Sequence, residues 1–218
     1  MNTLLLIIIA ATALISYFGF NNPQFFEKYK FNVGAILNRK EYIRLISAGF
    51  LHADLMHLLF NMMTLYFFAP IVVQAFGGVG FLAVYFGSIL LGNLFSLYLY
   101  KNQYYYSAIG ASGGVSGILF ASIAMIPNIG IYFFFIPIPI PGFIFGLLYF
   151  AYSVYSMLNP RASDNIGHAA HLGGAFFGLV YAVASQPARA IENSLFLLIM
   201  ALPLIYMAYQ VFVKKKIG

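Results

Sequence analysis

Apolar runs of about 20 residues, the length of a membrane-crossing helix, follow one another along almost the whole chain. The first runs from about Thr3 to Phe20. The second, Leu55 to Phe76, closes at Gly77-Gly78, and the third, Val79 to Tyr100, closes at Lys101-Asn102-Gln103. The fourth, Ala108 to Ile126, is rich in small residues and ends at Pro127-Asn128. The fifth is Gly142 to Leu158, the sixth Ile166 to Ala184, and the seventh Ser194 to Val213, followed by Lys214-Lys215-Lys216. Before the fifth span, Pro137, Pro139 and Pro141 alternate and cannot sit in a regular helix, so this stretch reads as an interfacial or re-entrant entry. The first run lacks the Lys or Arg of a signal-peptide n-region and reads as a retained helix, although Ala10-Ala11-Thr12-Ala13 supplies small residues. Asn21 to Asp54 is the single long connection. Its Lys28, Lys30, Arg39, Lys40 and Arg44 alternate with Phe, Tyr and Leu, the mixture of a membrane-surface loop with amphipathic pieces.

Composition sharpens this picture. Of 218 residues, 62% are hydrophobic and 7% charged, whereas a globular domain is about 25% charged and about 45–50% apolar. A soluble core of this size cannot hide that surface, which excludes a soluble enzyme and a disordered chain. The expectation is an all-α integral membrane protein: one compact, multi-pass bundle over residues 1–218 with no appended soluble domain. With no cysteine, disulfides, thiolate catalysis and thiolate metal sites are excluded. A net charge of +6, without a clustered basic face or an aromatic–basic motif, points to anionic lipid and not to nucleic acid.

Parity then organises the polar residues. The second, fourth and sixth spans all start on the same side of the membrane. His52, Asp54, His57 and Asn61 lie at the head of the second. Ser112 and Ser116 lie near the head of the fourth, and Asp164, Asn165, His168 and His171 at the head of the sixth. Ionisable residues inside a membrane are costly and mark a functional interior.

Each cluster has a bland reading. His57 and Asn61, four apart on one face, could be interhelical polar glue worth about 0.6–2 kcal/mol. Gly110-Ala111-Ser112-Gly113 opens the fourth span, yet Gly113 and Gly117 alone are a small-residue packing face. Ala170-His171-Leu172-Gly173-Gly174, with Gly178 beyond, opens the sixth, where His168 lies on a similar face and spacing does not choose between the two histidines. Together they are more specific. A serine at a glycine-flanked helix start, where free N–H groups and the helix dipole favour an oxyanion, and a histidine at another helix head can form a nucleophile–base pair. The His and Asn of a third helix head can donate to the oxyanion.

With these motifs the sequence resembles the rhomboid intramembrane serine proteases. The G-x-S-G motif appears as Gly110-Ala111-Ser112-Gly113 and the A-H-x-x-G motif as Ala170-His171-Leu172-Gly173, with Gly174 and Gly178 completing the glycine pattern. The H-x-x-x-N motif is His57 to Asn61, and the family's upstream histidine is matched by His52. The resemblance implies a bundle of six transmembrane helices (core about 1–185) with a seventh at the C-terminus, about 194–213. It implies Ser112 as nucleophile, His171 as general base, and His57 and Asn61 in the oxyanion hole with the serine N–H, supported by His52, Gly110, Gly113 and Gly174. It further implies hydrolysis, without a cofactor or metal, of single-span or multi-span membrane-protein substrates that enter from the lipid bilayer, in a bacterial-type plasma membrane. Asp164 sits in a loop, so a dyad is expected and not a triad. Two departures stand out. The family's Trp-Arg pair is Ile43-Arg44 here, and Ser116 stands where many relatives carry an aromatic ring stacked on the histidine, so the imidazole is expected to be held less firmly.

Two other classes stay in view: a rhomboid-like protein that binds membrane clients without cleaving them, and a membrane protein whose four histidines bind a metal or haem. Orientation is also in conflict. The family places the active site outside the cytoplasm, whereas the positive-inside rule would put it inside, because nearly all Lys and Arg lie on the active-site side. The conflict shrinks if the seventh segment does not span.

Overall fold

The computed structural model describes residues 2–133, 136–161, 164 and 166–217; Asn165, assigned above to the head of the sixth span, lies outside them. Among the described residues, three helices are long and apolar enough to cross a membrane: α1 (Thr3–Asn21), α5 (Leu55–Tyr100) and the C-terminal helix Ser194–Val213. The last comprises α10 (Ser194–Ala208) and a closing π turn, Tyr209–Val213. Two shorter apolar helices, α6 (Ser112–Met125) and α7 (Gly142–Leu158), and the 18-residue α8 (His168–Ser185) complete the bundle. The break expected at Gly77-Gly78 exists. Gly77 has φ 72 and ψ 179, which divides α5 into two halves, and a residue with a Cβ is strained at that φ.

The centre of the bundle is α6, in which every residue from Gly113 to Met125 is buried. A helix that is apolar all round belongs in a core. Both α5 and α8 pack against it, at distances that only glycine allows. Where α8 meets α6, a Cβ on Gly174 would meet the Gly113 carbonyl and one on Gly178 the Gly117 carbonyl; where α5 meets α6, one on Gly117 would meet the Ser88 side chain. The small-residue stripe noticed in the sequence is therefore a real packing face, and it brings the heads of α6 and α8 together. By contrast, α7 packs chiefly against α10.

The long connection folds as amphipathic pieces: α2 (Pro23–Tyr29), α3 (Val33–Arg39), α4 (Arg44–Ser47) and a 3-10 turn, Ala48–Phe50. Asn22 and Asn32 cap α2 and α3 through their side-chain oxygens. Arg44 is buried and ties the segment together. Its guanidinium donates to the carbonyls of Glu27 (2.8 Å) and Lys30 (2.7 Å) and to the Glu41 carboxylate (2.6 Å). Hydrogen bonds from Arg39 and Arg44 hold the Glu41 carboxyl at about 2. Ile43, in place of the family's Trp, is exposed. Strand β1 (Phe31–Asn32) pairs antiparallel with β2 (Ser107–Ala108), which pins the connection to the segment just ahead of α6.

The proline stretch, expected to be a non-helical entry to the fifth span, is an antiparallel ribbon, β3 (Gly130–Phe133) with β4 (Ile136–Pro141). Alternating prolines cannot serve a helix but can lie on a strand edge, where their missing N–H groups are not required. A short helix, α9 (Pro187–Glu192), leads into α10. At the far end of α10, Lys216 Nζ lies 3.5 Å from Asn159 Oδ1, just beyond α7. The terminal lysines are therefore at the same end as the heads of α6 and α8, and the charge asymmetry noted in the sequence persists: among the described Lys and Arg, Arg189, paired with Glu192, is the one at the opposite end.

Candidate active site

Ser112 is the first residue of α6, and the helix starts without a side-chain cap. The first intrahelical bond is Val115 N–H to Ala111 C=O, 2.9 Å, so the N–H groups of the first turn are available to an anion. The approach to this helix start is tied down at three successive places. β2 pairs with β1, Gly110 N–H donates to Ala48 C=O at 3.0 Å, and Ala111 N–H donates to His52 Nε2 at 3.3 Å. Gly110 has φ 117, and a Cβ there would also lie 2.9 Å from His57 Nε2. Glycine is thus required both by conformation and by space.

His171 stands in the first turn of α8, and its Nε2 lies 2.6 Å from Ser112 Oγ. With the hydroxyl as donor, Nε2 is the acceptor and Nδ1 carries the ring proton. The other histidine that spacing could not distinguish is placed elsewhere. His168 Nε2 pairs with Asp164 Oδ2 at 3.0 Å, and its Nδ1 has no partner among the described residues. Asp164, whose carboxyl is held below its ordinary value chiefly by the Ile166 N–H, therefore orients His168 and not His171.

His57 and Asn61 lie on the first turns of α5. Asp54 caps this helix by accepting from His57 N–H at 2.8 Å, which fixes where His57 starts. Its Nε2 and Ser112 Oγ lie within 2.9 and 3.5 Å, respectively, of the point where a Gly110 Cβ would sit, so both face one small space. Asn61 is buried and donates one amide hydrogen to its own helix, at His57 C=O, 2.9 Å. Beside Ser112 lies a cavity of about 20 Å³ lined by Ala48, Ile89, Asn93, Gly110 and Gly113 among others, room for one water or the start of a small side chain.

His52 is fully buried. Because Ala111 N–H donates to Nε2, Nδ1 carries the proton and donates to Ser16 Oγ at 2.8 Å, and Ser16 passes its own hydrogen to Phe50 C=O at 2.8 Å. Burial first, and the neighbouring His57 second, push the imidazole down to about 3. The unfolded chain takes up this proton near the ordinary value of 6.5 and the folded chain does not. Stability therefore falls as pH drops below 6.5, by about 1.4 kcal/mol per unit from this group alone. Thermal midpoints in detergent between pH 7.5 and about 4.5 are expected to fall more steeply for wild type than for His52→Leu, which lacks the titrating ring. Parallel slopes would contradict the assignment.

Sequence reasoning missed two members of this constellation. Ser16 carried a faint signal, since Thr12 and Ser16 form an i, i+4 polar pair on the buried face of an otherwise apolar helix. Tyr149 carried none. Its hydroxyl lies 2.9 Å from Ser116 Oγ, and its ring lies parallel to that of His171, with 6.4 Å between centroids and 20° between planes. Ser116 itself carries no ring, as the sequence says, but an aromatic ring stands beside His171 all the same, brought by α7 instead of α6. Among the described residues, no group of three or more His, Asp or Glu converges as a metal ligand set would.

Comparison with known proteins fits this geometry. The family model described as the Rhomboid domain matches residues 39–187, more than half of the chain. The chain belongs to the rhomboid family. Among its relatives, Rhomboid protein 1, mitochondrial, of Saccharomyces cerevisiae is 29% identical over 72% of this chain and 45% of its own length. RHOMBOID-like protein 12, mitochondrial, of Arabidopsis thaliana is 30% identical over 60% of the chain and 43% of its own length. The Bacillus subtilis rhomboid relative YdcA is 40% identical over 78 residues, 36% of the chain and 38% of its own length. The chain thus spans less than half the length of these relatives. The matched rhomboid region includes Ser112, His171, His57, Asn61 and His52. As an integral, multi-pass member of the family, it carries them at the heads of α5, α6 and α8 and in the loop before α5.

Proposed function

We propose that this chain is a serine-type intramembrane endopeptidase that cleaves membrane-protein substrates with a Ser112–His171 dyad. The observation that carries the reading is the 2.6 Å contact between Ser112 Oγ and His171 Nε2, made between the heads of two helices held together through Gly174 and Gly113. In this reading His171 takes the Ser112 proton as the serine oxygen attacks a peptide carbonyl. The negative charge on the carbonyl oxygen is met by the Ser112 N–H, His57 and the Asn61 amide. His171 then protonates the leaving amine, and water releases the acyl group and regenerates the serine.

The architecture proposed with it is six spanning helices, counting the halves of α5 separately, and a seventh formed by α10, in one membrane-embedded domain with its rhomboid core over about 1–185. Substrates are proteins with a spanning helix that reaches the site from the bilayer and unwinds there. The proposed location is a bacterial-type plasma membrane, in line with the relative from Bacillus subtilis; the yeast and plant relatives are mitochondrial by name.

The test is cleavage of a single-span model substrate in proteoliposomes, with the product ends sequenced. Wild type is expected to cut at or near the span. His57→Ala and Asn61→Ala are each expected to lower kcat by about 10²–10³-fold, the usual loss for one oxyanion donor. Folded wild type that neither cleaves nor reacts with a fluorophosphonate would replace this reading with that of a client-binding rhomboid.

A further inference from the structure

A dyad leaves open what keeps the base in plane. In a triad a carboxylate holds the far nitrogen of the imidazole, but here the nearby carboxylate, Asp164, is engaged with His168 at 3.0 Å. Among the described residues, the hydrogen bond to the His171 ring is the one with Ser112, and the His168 ring meets it only edge-on at 6.4 Å.

We propose that Tyr149 is a positioning residue for His171: its ring, carried on α7 and tethered to α6 through Ser116, holds the imidazole in the plane that faces Ser112. The proposal rests on the protease reading above and adds to it a residue on a third helix.

Three observations carry it. The Tyr149 and His171 rings are 20° from parallel with centroids 6.4 Å apart, inside the range of offset-stacked aromatic pairs. The Tyr149 ring is itself immobilised. Its hydroxyl lies 2.9 Å from Ser116 Oγ, and Phe120 and Phe145 flank it at 5.3 and 5.8 Å. Finally, the match repeats one turn along. Tyr152 meets His168 edge-on at 5.4 Å and 76°, so two tyrosines three apart on α7 face two histidines three apart on α8. A single register of these two helices satisfies both pairs.

Ser116 lies one turn below the nucleophile on α6. The hydroxyl–hydroxyl bond therefore ties α7 to the helix that carries Ser112, while the ring of the same tyrosine reaches the helix that carries His171. On its other side α7 is braced by α10, where Gly146, one turn before Tyr149, lies under Met200. The orientation of the base thus depends on α7 being docked, and a shift of α7 away from the bundle removes the ring from the imidazole.

The experiment compares steady-state cleavage and fluorophosphonate labelling rates for wild type, Tyr149→Phe, Tyr149→Leu and Tyr149→Met in proteoliposomes. Tyr149→Met is included as a flexible, ring-free filler should the leucine variant fold poorly. Tyr149→Phe keeps the ring and is expected to hold kcat within about threefold of wild type, whereas Tyr149→Leu and Tyr149→Met are expected to lose about 10–100-fold in kcat and in labelling rate, with KM within about twofold. Ring-free variants with wild-type kcat, a phenylalanine variant as impaired as the leucine one, or a loss confined to KM would each overturn the proposal while leaving the protease reading intact. Folded wild type that neither cleaves nor labels would overturn the protease reading, and this inference with it.

Discussion

Ser112→Ala protein is expected to fold as wild type does and to cleave nothing above background. The substitution removes one oxygen at the first position of α6, where alanine is an excellent helix residue, and leaves Gly110, Ala111 and the β1–β2 tie untouched. The structural loss is the hydrogen bond to His171 Nε2, worth about 1 kcal/mol, so the thermal midpoint moves little. In the proposed dyad the chemical loss is total for covalent catalysis, because Ser112 Oγ is the atom His171 contacts. Removing a nucleophile from a cooperative catalytic unit lowers kcat by about 10⁴-fold or more. A gel-based single-turnover assay checks this; residual cleavage above about 1% of the wild-type rate is far outside that range and would show that another group attacks the substrate.

The largest effect on folding is expected from Gly174→Val. A Cβ at this position would overlap the Gly113 carbonyl and lie 3.1 Å from the Gly113 Cα. These are backbone atoms of the most buried helix, and neither can swing aside. The branched side chain therefore forces α8 away from α6, at a cost of about 3 kcal/mol or more. The same displacement pulls His171, one turn before Gly174, away from Ser112, which directly precedes Gly113. Folded yield and thermal midpoint should fall sharply, and whatever folds should have lost at least about 10²-fold in kcat. Gly167→Ala is the control, since the nearest atom to its new Cβ would be Ala170 Cβ at 3.9 Å. If the two variants behaved alike, the close crossing of α6 and α8 would not be what assembles the site.

Much of this arrangement is written in the chain's periodicity and small residues. Parity alone gathers His57, Ser112 and His171 at one end, and the geometry agrees. Gly77 stops a helix because its φ of 72 is closed to other residues, a requirement visible as a glycine pair between two apolar runs. The choice between His168 and His171 was not legible, because three residues of spacing put both on a similar face. It is decided by where α6 begins: its helix starts level with His171, so His168, a turn higher, pairs with Asp164 and meets the Tyr152 ring instead of the serine. The ribbons were equally hidden. β1 and β2 are two residues each, too short for any period to register, and the alternating prolines of β4 say what the segment is not more clearly than what it is. Tyr149 is one aromatic among many on α7, and its importance arises from an antiparallel neighbour that no local pattern encodes. Ser116 looked like a deficit at the level of sequence because the compensating ring comes from another helix.

The charge asymmetry has the same tertiary origin. Because α10 returns its terminal lysines beside Asn159, the chain's net positive charge lies at the same end of the bundle as the candidate site, where it would meet anionic headgroups.

The measurement that bears most directly on the Ser112–His171 pair is mass-spectrometric mapping of the fluorophosphonate adduct on the folded protein, with wild type and His171→Ala treated side by side. A phosphonyl group on Ser112 of wild type, absent from every other residue and lost in His171→Ala, is the result the dyad predicts. An adduct elsewhere, or one on Ser112 that forms equally well without His171, would contradict it.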